Sequence, residues 1–181
     1  MRKMFWLGAS LVLSAQVAFA APVDKKNLQV LNDVAKSVNR YAYFTIFDDV
    51  QADVKDGVVT LTGKVTMPYK RDAIEKRVAK VAGVQKVVDR ITILPVSQFD
   101  DRLRYRIARD IYSNPNFWNY GLGPNPSIHV IVDRGHVTLT GVVLNNSDRV
   151  IARSLVNQFG VMSVANDLRT EEEVRDALEK S

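Results

Sequence analysis

The chain has 181 residues, 46% of them hydrophobic and 25% charged, which are ordinary globular values and exclude a disordered or fibrous protein. It contains no Cys, so disulfide staples, thiolate metal sites and thiol catalysis are excluded. The formal net charge of +5 is mild, and nucleic acid is not an expected partner for a chain whose N-terminal residues, read next, mark it for export.

Arg2 and Lys3 precede an apolar run from Met4 to Leu13, and the small residues Ala18 and Ala20 follow. This pattern predicts a secretory signal peptide over residues 1–20, cut after Ala20. The run is too short to span a bilayer. With no Cys beside the cut, lipid attachment is not expected, and the expected location is the periplasm, with the protein free or peripherally associated with a membrane.

A first unit is expected over residues 24–95. Leu28, Leu31, Val34, Ala35, Val38 and Ala42 recur at helical spacing, with Asp24 as N-cap. Val50, Ala52 and Val54 alternate as a strand does. Lys55-Asp56-Gly57 reads as a hairpin turn, since Gly accepts the positive φ of tight hairpins, and Val59 and Leu61 lie on the returning strand. Pro68 opens a second helix with Ile74, Val78, Val81 and Ala82 as its buried stripe, and Gly83 ends it. Val84 to Leu94 holds a last strand.

A second unit over residues 97–170 repeats this order. Phe99, Leu103, Ile107 and Ile111 stripe its first helix, and Ile128, Val130 and Val132 alternate on a strand. Val137 and Leu139 lie on the next strand, Ile151, Leu155 and Phe159 on the second helix before Gly160, and Val161 to Leu168 forms the last strand. The acidic tail 171–181 opens with Thr170 and Glu173 spaced as a capping box, which predicts a short helix with Val174, Ala177 and Leu178 on one side.

The repetition is explicit in the residues. Val54-Lys-Asp-Gly-Val-Val-Thr-Leu-Thr-Gly-Lys-Val65 answers Val132-Asp-Arg-Gly-His-Val-Thr-Leu-Thr-Gly-Val-Val143, and Gly57 and Gly135 stand 78 positions apart. Gly83-Val84-Gln-Lys-Val-Val answers Gly160-Val161-Met-Ser-Val-Ala at nearly the same offset. The chain therefore holds two copies of one unit. Each reads αββαβ in an α+β fold, a three-stranded mixed sheet with two helices on one face and a right-handed crossover to the last strand. The copies join directly at Pro95-Val96-Ser97 and are expected to touch.

The pattern V-x-x-G-x-V-T-L-T-G-x-V, then a basic helix and G-V-x-x-V, resembles the BON domain and occurs twice. Tandem copies behind a signal peptide are similar to the osmotically inducible periplasmic proteins and their outer-membrane lipoprotein relatives. The resemblance implies the αββαβ fold and binding of phospholipid or envelope partners, with a role in envelope maintenance or osmotic stress. The lipoprotein Cys is absent here. The matching glycines and valines are structural and do not carry a function across by themselves.

No catalytic set is legible. There is no Gly-x-Ser-x-Gly, His-Glu-x-x-His or phosphate-binding glycine loop. Asp48 and Asp49 are neighbours that would point to opposite faces of a strand, so a turn or cap role is expected. His129 and His136 are the only histidines and read as surface strand residues, too few for a zinc site. No enzyme activity, cofactor or metal is expected.

The candidate binding surface lies in the second copy. Arg102, Arg106 and Arg109 share one side of its first helix, flanked by Tyr105 and Tyr112. Like charges at i and i+4 cost a few tenths of a kcal/mol, which favours an anionic partner. The loop that follows carries Phe117, Trp118 and Tyr120 among Gly and Pro, with nothing comparable in the first copy. Two readings stay open for these aromatics. They enter the headgroup zone of an anionic phospholipid membrane beside the arginines, or they cap the core of copy two. Lys76, Arg77 and Lys80 form a secondary basic patch in copy one. The rival function is an envelope protein adaptor or self-assembling module without lipid contact, using the same loop or an open sheet edge.

Overall fold

The structure is a computed structural model, and it describes residues 25–122, 126–157 and 159–179. The expected signal peptide and the Asp24 cap lie outside these residues, as does the side chain of Leu178.

The first repeat runs α1 (Lys25–Asn39), β1 (Asp49–Lys55), β2 (Val58–Val65), α2 (Pro68–Val78), β3 (Lys86–Asp89) and β4 (Thr92–Ile93). The second runs α3 (Gln98–Tyr112), a 3-10 turn (Trp118–Gly121), β5 (Ile128–Asp133), β6 (His136–Val143), α4 (Asn146–Val156) and β7 (Ser163–Thr170), and α5 (Glu171–Glu179) follows. Each hairpin pairs antiparallel around a turn with positive φ at both central residues, Asp56-Gly57 and Arg134-Gly135. The last strand of each repeat lies parallel to the second, which requires α2 and α4 to cross over between them. β2 and β6 are thus the central strands, and their inward residues Val59, Leu61, Val65, Val137, Leu139 and Val143 are the floor of two separate cores.

Pro68 stands at the first position of α2, where its missing N–H would be unbonded anyway. Ser97 Oγ accepts the Asp100 N–H and starts α3, while Asn145 Oδ1 accepts the Asp148 N–H and starts α4. The capping box closes as expected: Thr170 Oγ1 accepts from Glu173 N, and Glu173 Oε2 accepts from Thr170 N.

The structure corrects several expectations. The buried face of α1 is Val30, Val34 and Val38; Leu28 and Leu31 are half-buried, and Ala35 and Ala42 are exposed. Val30 is drawn in because its side chain packs on Gly83, where a Cβ would stand 2.8 Å from it. The helices α2 and α4 end at Val78 and Val156, several residues before Gly83 and Gly160. Ala82 is consequently exposed, and Phe159 is 91% exposed rather than part of a stripe. On α3 Phe99 is also exposed, while the charged Asp100 and Arg104 are buried. Asp100 accepts the backbone N–H groups of Arg134 and Gly135, tying the helix start to the hairpin turn, and Arg104 pairs with Asp101 and donates to the Val132 carbonyl at 2.6 Å. The third strand of copy one is two pieces; between them the Asp89 carboxylate accepts the Ile91 N–H, while the Arg90 N–H still reaches the Leu61 carbonyl of β2.

The repeats meet through the link between α1 and β1. Ile46 O accepts the Val130 N–H at 2.7 Å, covering the outer edge of β5. His129 is not a plain surface residue. Its Nδ1 lies 2.6 Å from the Asp48 carbonyl, which can only accept, so Nδ1 carries the proton; the ring leans on Phe44. Phe47, half-buried, packs against the core of the second repeat and meets the exposed Tyr105 edge-on at 5.0 Å. Lys64 pairs with Asp133 at 2.7 Å, which holds the Asp133 carboxyl below its ordinary range, and Thr140 donates to Asp49.

Candidate binding surfaces

The inward side of α3 is formed by Leu103, Arg104, Ile107, Ala108 and Ile111, so Arg102, Arg106 and Arg109 fall on the opposite side. Arg102 and Arg109 are exposed. Arg106 is half-buried, and its Nη2 donates to the Phe159 carbonyl at 2.5 Å, so it also braces the turn after α4. Tyr105 is exposed, whereas Tyr112 is half-buried and donates its hydroxyl to the Ile128 carbonyl; burial pushes that phenol up.

The loop after α3 divides its aromatics. Phe117 is fully buried, in tilted contact with Tyr120 at 5.5 Å, and both belong to the core cluster of the second repeat. Tyr120 donates its hydroxyl to Asp148 Oδ2 at 2.5 Å and accepts the Leu144 N–H at 2.8 Å. Burial and the hydrogen bond to Asp148 push its pKa up to about 12. These two residues therefore cap the core, and the expectation that they face a bilayer is corrected. The reason is geometric: a 3-10 turn has three residues per turn, so its cap Phe117 and Tyr120 eclipse on the inward side while Trp118 and Asn119 between them face out. Trp118 is the outward one, 62% exposed, with Leu122 exposed close after it. Leu122 and the exposed Leu144 were not singled out in the sequence, since an isolated Leu carries no periodic signal there.

In the first repeat Lys76, Arg77 and Lys80 are all exposed. Arg77 alone is engaged with an aromatic, its guanidinium 4.8 Å above the ring of the buried Tyr41. His136 is exposed and shares a hydrogen bond with Ser163 Oγ. Among the described residues no group of His, Asp and Glu is placed to hold a metal ion, and no helix is long and apolar enough to cross a membrane.

These features define a duplicated αββαβ module whose described polar side chains mostly cap, brace and join elements of its own fold. The family model for the BON domain matches twice, at residues 29–95 and 100–172, and the chain belongs to the BON-domain family. A search of the curated proteins found no match. Among solved structures, one of CdsD, a structural protein of the type III secretion system of Chlamydia trachomatis, is 14% identical, with 83% of this chain and 97% of that one covered and a TM-score of 0.28. A structure of the C-terminal domain of CdsD is also 14% identical, covering 81% and 98% at a TM-score of 0.28.

Proposed function

We propose that this protein is a non-catalytic binding protein of the bacterial cell envelope, exported to the periplasm, that docks reversibly on anionic phospholipid surfaces during envelope maintenance or osmotic stress. Family membership supports the theme. The observation that carries the docking site is the exposure of Trp118 in a loop whose other aromatics are buried. A ring that could complete the core instead stands in solvent, and indole favours the headgroup zone of a bilayer. Arg102 and Arg109, with Arg106 beside them, supply cations on the outer side of α3. Each contributes about 1 kcal/mol near an anionic surface, which gives salt-sensitive docking rather than anchoring.

Vesicle flotation tests this. Binding to vesicles containing phosphatidylglycerol, lost at high salt and lost with Trp118→Ala plus Arg109→Glu, is the expected result. Equal recovery of that variant and the wild type would refute the site.

A second reading, an envelope adaptor, is favoured by a different feature. Val150 and Met162 line a groove between α4 and β7, both are exposed, and Phe159 stands out beside it. An apolar rim at a strand that edges its sheet suits a protein partner. Crosslinking in the periplasm together with light scattering would separate the two readings.

A further inference from the structure

The first repeat carries cations and aromatics of its own along the seam between its two helices. Lys36 and Arg40 stand one turn apart at and just past the end of α1, and Arg77 lies in the last turn of α2. The packing of the two helices brings these three together around a cleft of about 410 Å³, with Asp33 and Ser37 on its wall. Asp33 is the one carboxylate there; it pairs with Lys36 at 3.5 Å and also accepts from Gln29. The lining keeps a surplus of two positive charges.

An aromatic chain leads out of this cleft. Arg77 covers the Tyr41 ring, Tyr41 meets Tyr43 edge-on at 5.7 Å, and Tyr43 meets Tyr69 edge-on at 6.1 Å. Tyr41 is buried, but Tyr43 and Tyr69 are 62% and 53% exposed, and Met67 beside them is exposed too. Cations at helix C-termini have an intramolecular reason, since they complement the terminal carbonyls. Tyr43 and Tyr69 pack edge-on yet leave more than half of their surface in solvent, and Met67 adds exposed apolar surface near them that a partner can cover.

We propose that this side of the first repeat is a second docking surface for an anionic bilayer, with lipid phosphates in the cleft of Lys36, Arg40 and Arg77 and with Tyr43, Tyr69 and Met67 in the headgroup zone. The positive cleft complements the negative surface, and the apolar rim gives a bilayer contacts that a free phosphate would not use. The inference rests on the proposed function for the class of ligand, but none of its residues are shared with the site on the second repeat. Of the basic patch expected from the sequence, Arg77 alone takes part.

Flotation of the full exported chain tests it, with vesicles of phosphatidylglycerol and phosphatidylcholine against phosphatidylcholine alone. Three variants are compared: Arg40→Glu with Arg77→Glu, Tyr43→Ser with Tyr69→Ser, and Trp118→Ser with Arg109→Glu. Circular dichroism checks that each is folded, and the tyrosine pair provides a charge-neutral variant should the arginine pair fail to fold. Each first-repeat variant is expected to lower partitioning on the order of tenfold, and combination with the second-repeat variant to abolish it. Wild-type partitioning by both first-repeat variants overturns the inference, whatever the third variant does. Loss in those two with no change in the third upholds the inference and refutes the site on the second repeat. A wild-type chain that floats with neither vesicle overturns both.

Discussion

Lys70 Nζ donates to Asp48 Oδ2 at 2.6 Å, and the two side chains are almost wholly buried where β2 passes into α2. The Asp48 carboxylate also accepts from the backbone N–H and hydroxyl of both Thr45 and Thr66, so each oxygen is satisfied. The second repeat meets the same need with other chemistry. Leu144 stands where Thr66 does, and its N–H is taken by the Tyr120 hydroxyl, which in turn bonds Asp148, the counterpart of Lys70. One copy secures the strand-to-helix corner with an ion pair and the other with a phenol.

The ion pair has a definite signature. Lys70→Met leaves a buried carboxylate without its cation and is expected to cost about 3–5 kcal/mol, read from urea denaturation at neutral pH. Burial opposes the charge on Asp48, but the hydrogen bonds from Lys70, Thr66 and Thr45 outweigh it and hold the carboxyl below its unfolded value of 3.8. The stability this supplies is full above that value and is lost as pH falls through the lower folded value. The gap between wild type and variant should therefore narrow on acidification, and a gap that holds constant to low pH would show that Lys70 does not hold the Asp48 carboxyl down.

Tyr120→Phe tests the other corner. It strips the Leu144 N–H of its acceptor and removes one of the two donors to Asp148 Oδ2, the other being Asn145 Nδ2, at a part-buried site. A loss of about 1–3 kcal/mol is expected, with the ring's packing kept. A neutral result would mean that water replaces the hydroxyl.

Phe117 and Trp118 are neighbours with opposite fates. Phe117→Ala opens a cavity in the core of the second repeat and should cost about 3–5 kcal/mol. Trp118→Ala removes an exposed ring and should stay within about 0.5 kcal/mol of wild type. Thermal melts of the two variants check this directly. Comparable losses in both would mean that the indole is packed, and the proposed lipid site would lose its main support.

That pair also marks how far the sequence could be read. The repeat, the hairpins and the parallel third strand were legible because β alternation, turn glycines and a constant offset are local signals. The motif glycine of each second strand is legible in the same way. Gly63 and Gly141 sit at φ +115° and +114°, where a Cβ would strike the Asp49 and Ser127 carbonyls, so only Gly fits. The aromatic loop was not resolvable, because three aromatics in four positions fit either burial or exposure and a 3-10 turn assigns them one by one. The burial of Asp100 and Arg104 was not legible, since their partners, a hairpin turn and a strand carbonyl, lie 28 or more residues away in sequence. The cleft of Lys36, Arg40 and Arg77 depends on how two helices pack, which periodicity within either one does not reveal.

The contact between repeats leads to the last prediction. Phe47 belongs to the first repeat by sequence but packs against the core of the second, and Val130 bonds the Ile46 carbonyl beside it. Shared apolar burial of this kind couples the unfolding of two small domains, neither of which has a large core of its own. Phe47→Ala, at a partly buried position, should cost about 2 kcal/mol. Lys64→Ala breaks a pair that is half exposed and should cost less than about 1 kcal/mol. In a chain lacking residues 1–20, Trp118 is the sole tryptophan, so its fluorescence follows the second repeat while far-ultraviolet circular dichroism follows both. The two signals should give one coincident transition in the wild type. In Phe47→Ala the fluorescence midpoint should fall although the altered residue lies in the other repeat; an unmoved midpoint would show that the repeats unfold independently and that the contact is incidental.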